Sequence, residues 1–191
     1  MNKTTLGLGT VARSVLIVGL LFVVAIPGFC QGTKERAITV TGKNPVIDGS
    51  LTAGEYVFFE DNGTWAIAAT VTDKTVFLGF SGTTSGWVSI GYGSVNMNNA
   101  IFCIGYIKNL KTDFDVQKGA GHSHSKLVSH NITMHAMSEK NGKTVLEIAI
   151  SRTDLLAQKE FILPVLVAYG KNDDFYSFHA FREIYTFSIN E

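Results

Sequence analysis

Two residues far apart in the chain carry side chains suited to ligand chemistry: Met97, in the polar stretch GSVNMNN, and His179, in YSFHAF. A thioether and an imidazole form an axial pair for haem iron, in which the methionine raises the reduction potential. Each residue also has a plain structural role. Met97 is a flexible apolar side chain among turn-formers, so it either folds back to fill a gap or presents its sulfur to something bound. By period-two counting, His179 shares a face with Phe181, Tyr185, Phe187 and Ile189, as a ligand or as a hydrogen-bonded core histidine. The chain lacks C-x-x-C-H, which excludes covalent haem attachment; any haem is held non-covalently, as haem b.

Four of the five histidines fall in GHSHSKLVSHNITMH: His122, His124, His130 and His135. His122 and His124 alternate and could chelate a metal ion, with a solvated loop as the competing account. No third ligand stands at useful spacing. The odd offset between His130 and His135 sends them to opposite faces of a regular strand. Asp173-Asp174, Asp48 and Glu55 flank turns and serve those turns. No G-x-S-x-G, Walker loop, H-E-x-x-H or dinucleotide fingerprint occurs. Asn62-Gly63-Thr64 and Asn131-Ile132-Thr133 fit the N-glycosylation triplet, which matters only in a eukaryotic secretory pathway. With a formal net charge of zero, there is no electrostatic case for nucleic acid or an acidic membrane surface.

The elements that must position these residues are strands. The 191 residues include 19 glycines and 3 prolines, and abundant Val, Ile, Thr, Phe and Tyr favour sheet. Residues 1–31 read as a secretory signal peptide, with Lys3 and Arg13 ahead of SVLIVGLLFVVAI and a small-residue exit near Cys30. An uncleaved or lipidated N-terminus would be the one route to a membrane. Removing Lys3 and Arg13 from the 16 basic residues leaves 14 against 16 acidic, and Cys103 becomes the only cysteine, a buried thiol. Residues 32–191 then read as one domain. Strands are expected at Ala37–Thr41, Tyr56–Glu60, Trp65–Val71, Val76–Phe80, Trp87–Tyr92 and Ala100–Ile107, and again at Val128–Met137, Thr144–Ile150, Phe161–Tyr169 and Tyr176–Ile189. Lys111–Lys126 reads as a long loop, and Thr153–Lys159 as a short helix with Thr153 as its N-cap. Pro164 implies an edge or a bulge in its strand. Strands at turn-marked intervals predict an all-β sandwich or barrel.

GWVSIGYGSVNMNNAIFCIGY resembles the core motif of DOMON domains, in which a tryptophan strand with a G-[YF]-G ending precedes a loop methionine and an apolar strand. PVIDGSLTAGEY and AYGKNDDFYSFHAFREIYTFSI resemble the opening and closing segments of bacterial DOMON proteins. The likeness covers roughly Ala37 to Ile189. It implies an immunoglobulin-like β-sandwich that binds haem or sugar. In haem-binding members, such as the cytochrome domain of cellobiose dehydrogenase, a loop methionine and a late histidine ligate haem b, and Met97 and His179 match those positions. Trp87, Tyr92, Phe178 and Phe181 are candidate pocket walls from their nearness in sequence. The resulting expectation is a secreted or periplasmic electron carrier, not an enzyme, serving a redox partner protein or domain. The alternatives are a carbohydrate or small-ligand binding module without haem, and a structural domain of the cell envelope.

Overall fold

The computed structural model describes residues 32–152 and 161–190. The expected leader and the short helix expected over Thr153–Lys159 lie outside the described residues. Among the described residues, no helix is long and apolar enough to cross a membrane. Twelve strands are described: β1 (Lys34–Thr39), β2 (Phe58–Asp61), β3 (Trp65–Val71), β4 (Thr75–Gly82), β5 (Val88–Tyr92), β6 (Ile101–Lys108), β7 (Lys111–Ala120), β8 (Ser123–Lys126), β9 (Ile132–Lys140), β10 (Lys143–Ser151), β11 (Phe161–Gly170) and β12 (His179–Asn190). They form a seven-stranded sheet in the order β1-β12-β11-β5-β6-β7-β8 and a five-stranded sheet in the order β2-β3-β4-β10-β9. The expected all-β sandwich is the fold.

Alternation places the core. Trp65, Ile67, Ala69 and Val71 on β3 face Val88, Ile90 and Tyr92 on β5, together with Leu163, Val165 and Val167 on β11, between the sheets. The other face of β3 is also buried, under the segment that carries Ile47, Leu51 and Tyr56, which packs with Ala68, Phe77 and Ala149. One carboxylate anchors that cover. Glu147 is fully buried and accepts the backbone N–H groups of Asp48 (3.0 Å), Gly49 (2.6 Å) and Ser50 (3.1 Å), along with the Tyr56 hydroxyl. Burial pushes the Glu147 carboxyl above its ordinary range, against the pull of these four donors. At the sandwich edge Glu60 on β2 receives Arg36 Nη2 at 2.9 Å and the Tyr185 hydroxyl at 2.9 Å, joining one sheet to the other.

Two expectations give way. Lys111–Lys126 is not a loop but the hairpin β7–β8. Only Phe114 and Val116 of β7 pack on the core, so the rest of that strand is polar and hides its period. Pro164 is neither at an edge nor at a bulge, since β11 lies between β12 and β5. Its carbonyl accepts Gly93 N–H at 3.3 Å, and ladder pairing with β5 starts only at Val165. The missing proline N–H therefore faces the point where β5 has already ended, and costs the ladder no bond.

Glu147→Ala would leave three backbone N–H groups and a hydroxyl without their acceptor, those of Gly49 and Tyr56 in buried surroundings. Urea unfolding is expected to show a loss of about 3 kcal/mol or more, with Glu147→Gln losing less. An unchanged midpoint for Glu147→Ala would show that the cover is not held by this carboxylate.

Candidate functional site

The loop from Lys171 to Phe178, between β11 and β12, is built from beneath by Trp87. Gly170 N–H donates to Trp87 O at 2.9 Å, Trp87 N–H donates to Asn172 O at 3.1 Å, and Trp87 Nε1 donates to Ser177 Oγ at 3.0 Å. Thr84 Oγ1 adds a bond to Gly170 O at 2.6 Å. The indole lies so close to the strand end that a Cβ on Gly170 would fall 2.1 Å from Trp87 Nε1. Trp87 is thus buried as the pin of the loop and not as a pocket wall.

Asp174 shapes the loop from within. Its Oδ1 accepts the N–H groups of Tyr176 (2.8 Å) and Ser177 (2.6 Å), an Asx turn. These backbone donors hold the Asp174 carboxyl below its ordinary value. The turn drives the neighbouring rings outward: Tyr176 is 91% exposed and Phe178 is 94% exposed. Phe175 lies against Tyr106 of β6, with ring centroids 5.0 Å apart. Partial burial, then the nearby carboxylates of Asp113, Asp173 and Asp174, raise the Tyr106 hydroxyl above its usual pKa. The tip therefore combines exposed aromatic faces with carboxylate acceptors. Asp173 also raises the carboxyl of Glu139 on β9, after burial as the larger cause.

The predicted haem pocket does not assemble. His179 pairs with Gly170, whereas Tyr169 pairs with Phe181, so Ala180 is an extra residue on β12. This bulge shifts the side-chain period by one. His179 consequently leaves the inner face that simple counting assigns it, and is exposed. Phe181, past the bulge, remains inside, stacked between the sheets with Trp65 (5.4 Å) and Tyr169 (5.3 Å). Tyr92 is fully buried in the core and donates to Asn131 Oδ1 at 2.6 Å. Phe178 points into solvent.

Met97 belongs to the other end of the sheet. Its loop leaves β5 after Tyr92, where Gly93 bonds Pro164, while His179 stands opposite Gly170. Pro164 and Gly170 are six residues apart on β11, roughly 20 Å at about 3.3 Å per residue. Metal–nitrogen bonds are about 2 Å long. One iron cannot be gripped by both side chains, and this donor pair does not fit a haem.

A concavity of about 300 Å³ opens on the outer face of the five-stranded sheet, lined among others by Leu51, Phe59, Asp61, Ser81, Ser138 and Lys143. It has one aromatic ring, and that ring is not part of an exposed pair. The tip thus remains the better-equipped surface. Sequence reasoning included Phe178 but missed Tyr106, Phe175 and Tyr176, although the run DDFYSF held the signal, a turn-former pair followed by closely spaced aromatics.

No family model matches the chain, and no curated protein matches it. Among solved structures, the cytochrome b domain of pyranose dehydrogenase from Coprinopsis cinerea superposes with TM-score 0.52 at 13% identity, covering 70% of this chain and 81% of that one. The cytochrome domain of Myriococcum thermophilum cellobiose dehydrogenase gives 0.50 at 11% identity, with coverage of 70% and 81%. A family 9 carbohydrate binding module from Caldicellulosiruptor kristjanssonii, in complex with cellotriose, gives 0.51 at 9% identity, covering 82% of this chain and 94% of that one. At these identities the likeness establishes the β-sandwich fold.

Two outcomes are expected. Incubation with haemin should yield no low-spin Met/His spectrum; such a spectrum, abolished in both Met97→Ala and His179→Ala, would overturn the placement of these residues. The depressed Asp174 carboxyl means that its contribution to the loop is complete above its ordinary value of 3.8 and is lost as pH falls through its lower folded value. Amide exchange at Tyr176 and Ser177 should accelerate in that acidic window, and a flat profile would count against the Asx turn.

Proposed function

We propose that the chain is a non-catalytic carbohydrate-binding module of a secreted or periplasmic protein, with its ligand surface at the 171–178 tip. The observation that carries this reading is the near-complete exposure of Tyr176 and Phe178 on a loop pinned at Trp87 and Asp174. Exposed aromatic surface of this kind marks interaction sites. A pyranose ring presents a flat C–H face that packs on an aromatic ring, and its hydroxyls donate to carboxylates such as Asp113 and Asp173. A pinned loop also spends little conformational entropy on binding. The superposition on a carbohydrate binding module over most of both chains supports the reading. The leader-like N-terminal sequence supports export.

The electron-carrier reading has the fold of two cytochrome domains in its favour. It lacks an axial pair at one place, so sugar binding is preferred.

Calorimetric titration with a panel of β-linked oligosaccharides, cellotriose among them, tests the proposal. Tyr176→Ala and Phe178→Ala should each weaken binding about tenfold or more, that is about 1.4 kcal/mol, without lowering the unfolding midpoint. Absence of binding across the panel, or binding indifferent to both substitutions, would overturn it.

A further inference from the structure

A second group of ligand-type residues, Met97, His122 and His124, lies at the end of the sheet opposite the aromatic tip. The β7–β8 hairpin brings its turn against the Met97 loop. Asn99 N–H donates to Gly119 O at 3.0 Å, Gly119 N–H donates to Ala100 O at 2.9 Å, and Gly121 N–H reaches Asn98 Oδ1 at 3.4 Å. The Met97 carbonyl presses so closely on β7 that a Cβ on Gly119 would stand 1.8 Å from it. Gly119 is the cross-strand partner of His124. Met97 and His124 therefore flank one glycine, and His122 sits in the β7–β8 turn itself, exposed and two residues before His124.

His124 is prepared as a ligand. Its Nδ1 bonds Gln117 Oε1, and the orientation of that amide is not arbitrary. Gln117 Nε2 donates to Asp115 Oδ2 at 3.0 Å, and Asp115 in turn pairs with Lys126 at 3.2 Å. With the amide nitrogen committed to a carboxylate, Oε1 must accept, so Nδ1 is the protonated nitrogen and Nε2 keeps its lone pair. Gln117 is itself buried. An orienting partner on the far ring nitrogen is the usual accompaniment of a metal-binding histidine. Phe102 stands beside the ring, with centroids 6.3 Å apart.

We propose that Met97 Sδ, His124 Nε2 and the His122 imidazole form a binding site for Cu(I). Among the described residues, no three His, Cys, Asp or Glu side chains converge, so the thioether is what completes the set. Thioether sulfur selects soft ions and imidazole suits copper, and the two preferences meet at Cu(I). The site is separate from the aromatic tip and does not depend on sugar binding.

Anaerobic competition for Cu(I) against bicinchoninate tests the proposal on the whole chain. One equivalent should bind, with the affinity reduced tenfold or more by Met97→Leu, which preserves side-chain volume, and likewise by His124→Ala. His179→Ala should change nothing. Titration with Ag(I), a redox-inert stand-in, should shift one methionine methyl resonance, absent in Met97→Leu. Failure to bind one equivalent, or binding that survives Met97→Leu and is lost in His130→Ala, would overturn the assignment. Thermal unfolding of each variant separates loss of the site from loss of the fold.

Discussion

The length of β11 governs which side chains of this molecule can act together. Between the Pro164–Gly93 bond and the Gly170–Trp87 bond the strand runs straight through the middle of the seven-stranded sheet. Hydrogen bonding to both neighbours fixes that spacing, and no loop rearrangement shortens it. The two connections that carry ligand-type residues leave from opposite ends of this ruler. One holds aromatic rings and carboxylates, the other a thioether, with the imidazoles of the adjoining β7–β8 hairpin beside that loop. A single cofactor spanning both sets is excluded by backbone geometry alone.

Holding both ends in place requires a rigid second layer, and Glu147 supplies part of it. A buried carboxylate is costly in isolation, and the raised position of its titration reflects that cost. Three convergent N–H groups and a hydroxyl offset it, converting a charge in the core into the anchor of the 48–56 cover. The burial of Ala68 and Phe77 on the outer face of the five-stranded sheet follows from that anchor. Removing the carboxylate therefore exposes a surface as well as orphaning donors. The edge network around Glu60 works differently. Its carboxyl is partly solvated and held below its ordinary value by Arg36, Tyr185 and Lys34 against a burial penalty. Solvent screening makes it a weaker tie between the sheets.

The sandwich was legible wherever apolar residues alternate on one face. β3, β4, β5, β10 and β11 fall within a residue or so of their expected bounds, because half-buried strands must repeat every two residues. β7 and β8 were not legible, since an edge hairpin with two inward apolar residues has too little pattern to separate from a polar loop. The misplacement of His179 has a different origin. Period-two counting assumes an unbroken register, and the extra residue at Ala180 reverses the face of everything before it. Nothing in SFHAF marks a bulge, because the residues on both sides are aromatic. The turn beneath Glu147 was visible as Asp48-Gly49, but its acceptor is contributed by a distant strand and leaves no local trace. For the same reason the approach of the Met97 loop to Gly119, the partner of His124, left no trace in sequence: it is created by the β6–β7 and β7–β8 pairings.

Haem-binding and sugar-binding proteins superpose on this chain almost equally well, so the scaffold is silent about the ligand. Selection falls to the connections at its two ends, where backbone is free of ladder obligations and side chains can face outward. At one end Trp87 and Asp174 spend their hydrogen bonds on holding a loop on which Tyr176 and Phe178 point to solvent, two rings that bring no packing benefit to the fold. At the other, a lysine, a carboxylate and an amide are linked in series behind one imidazole. Such a relay leaves Nε2, and not Nδ1, as the basic nitrogen. Both ends place hydrogen bonds where folding alone would not require them, and the groups left facing outward differ in chemistry between the two.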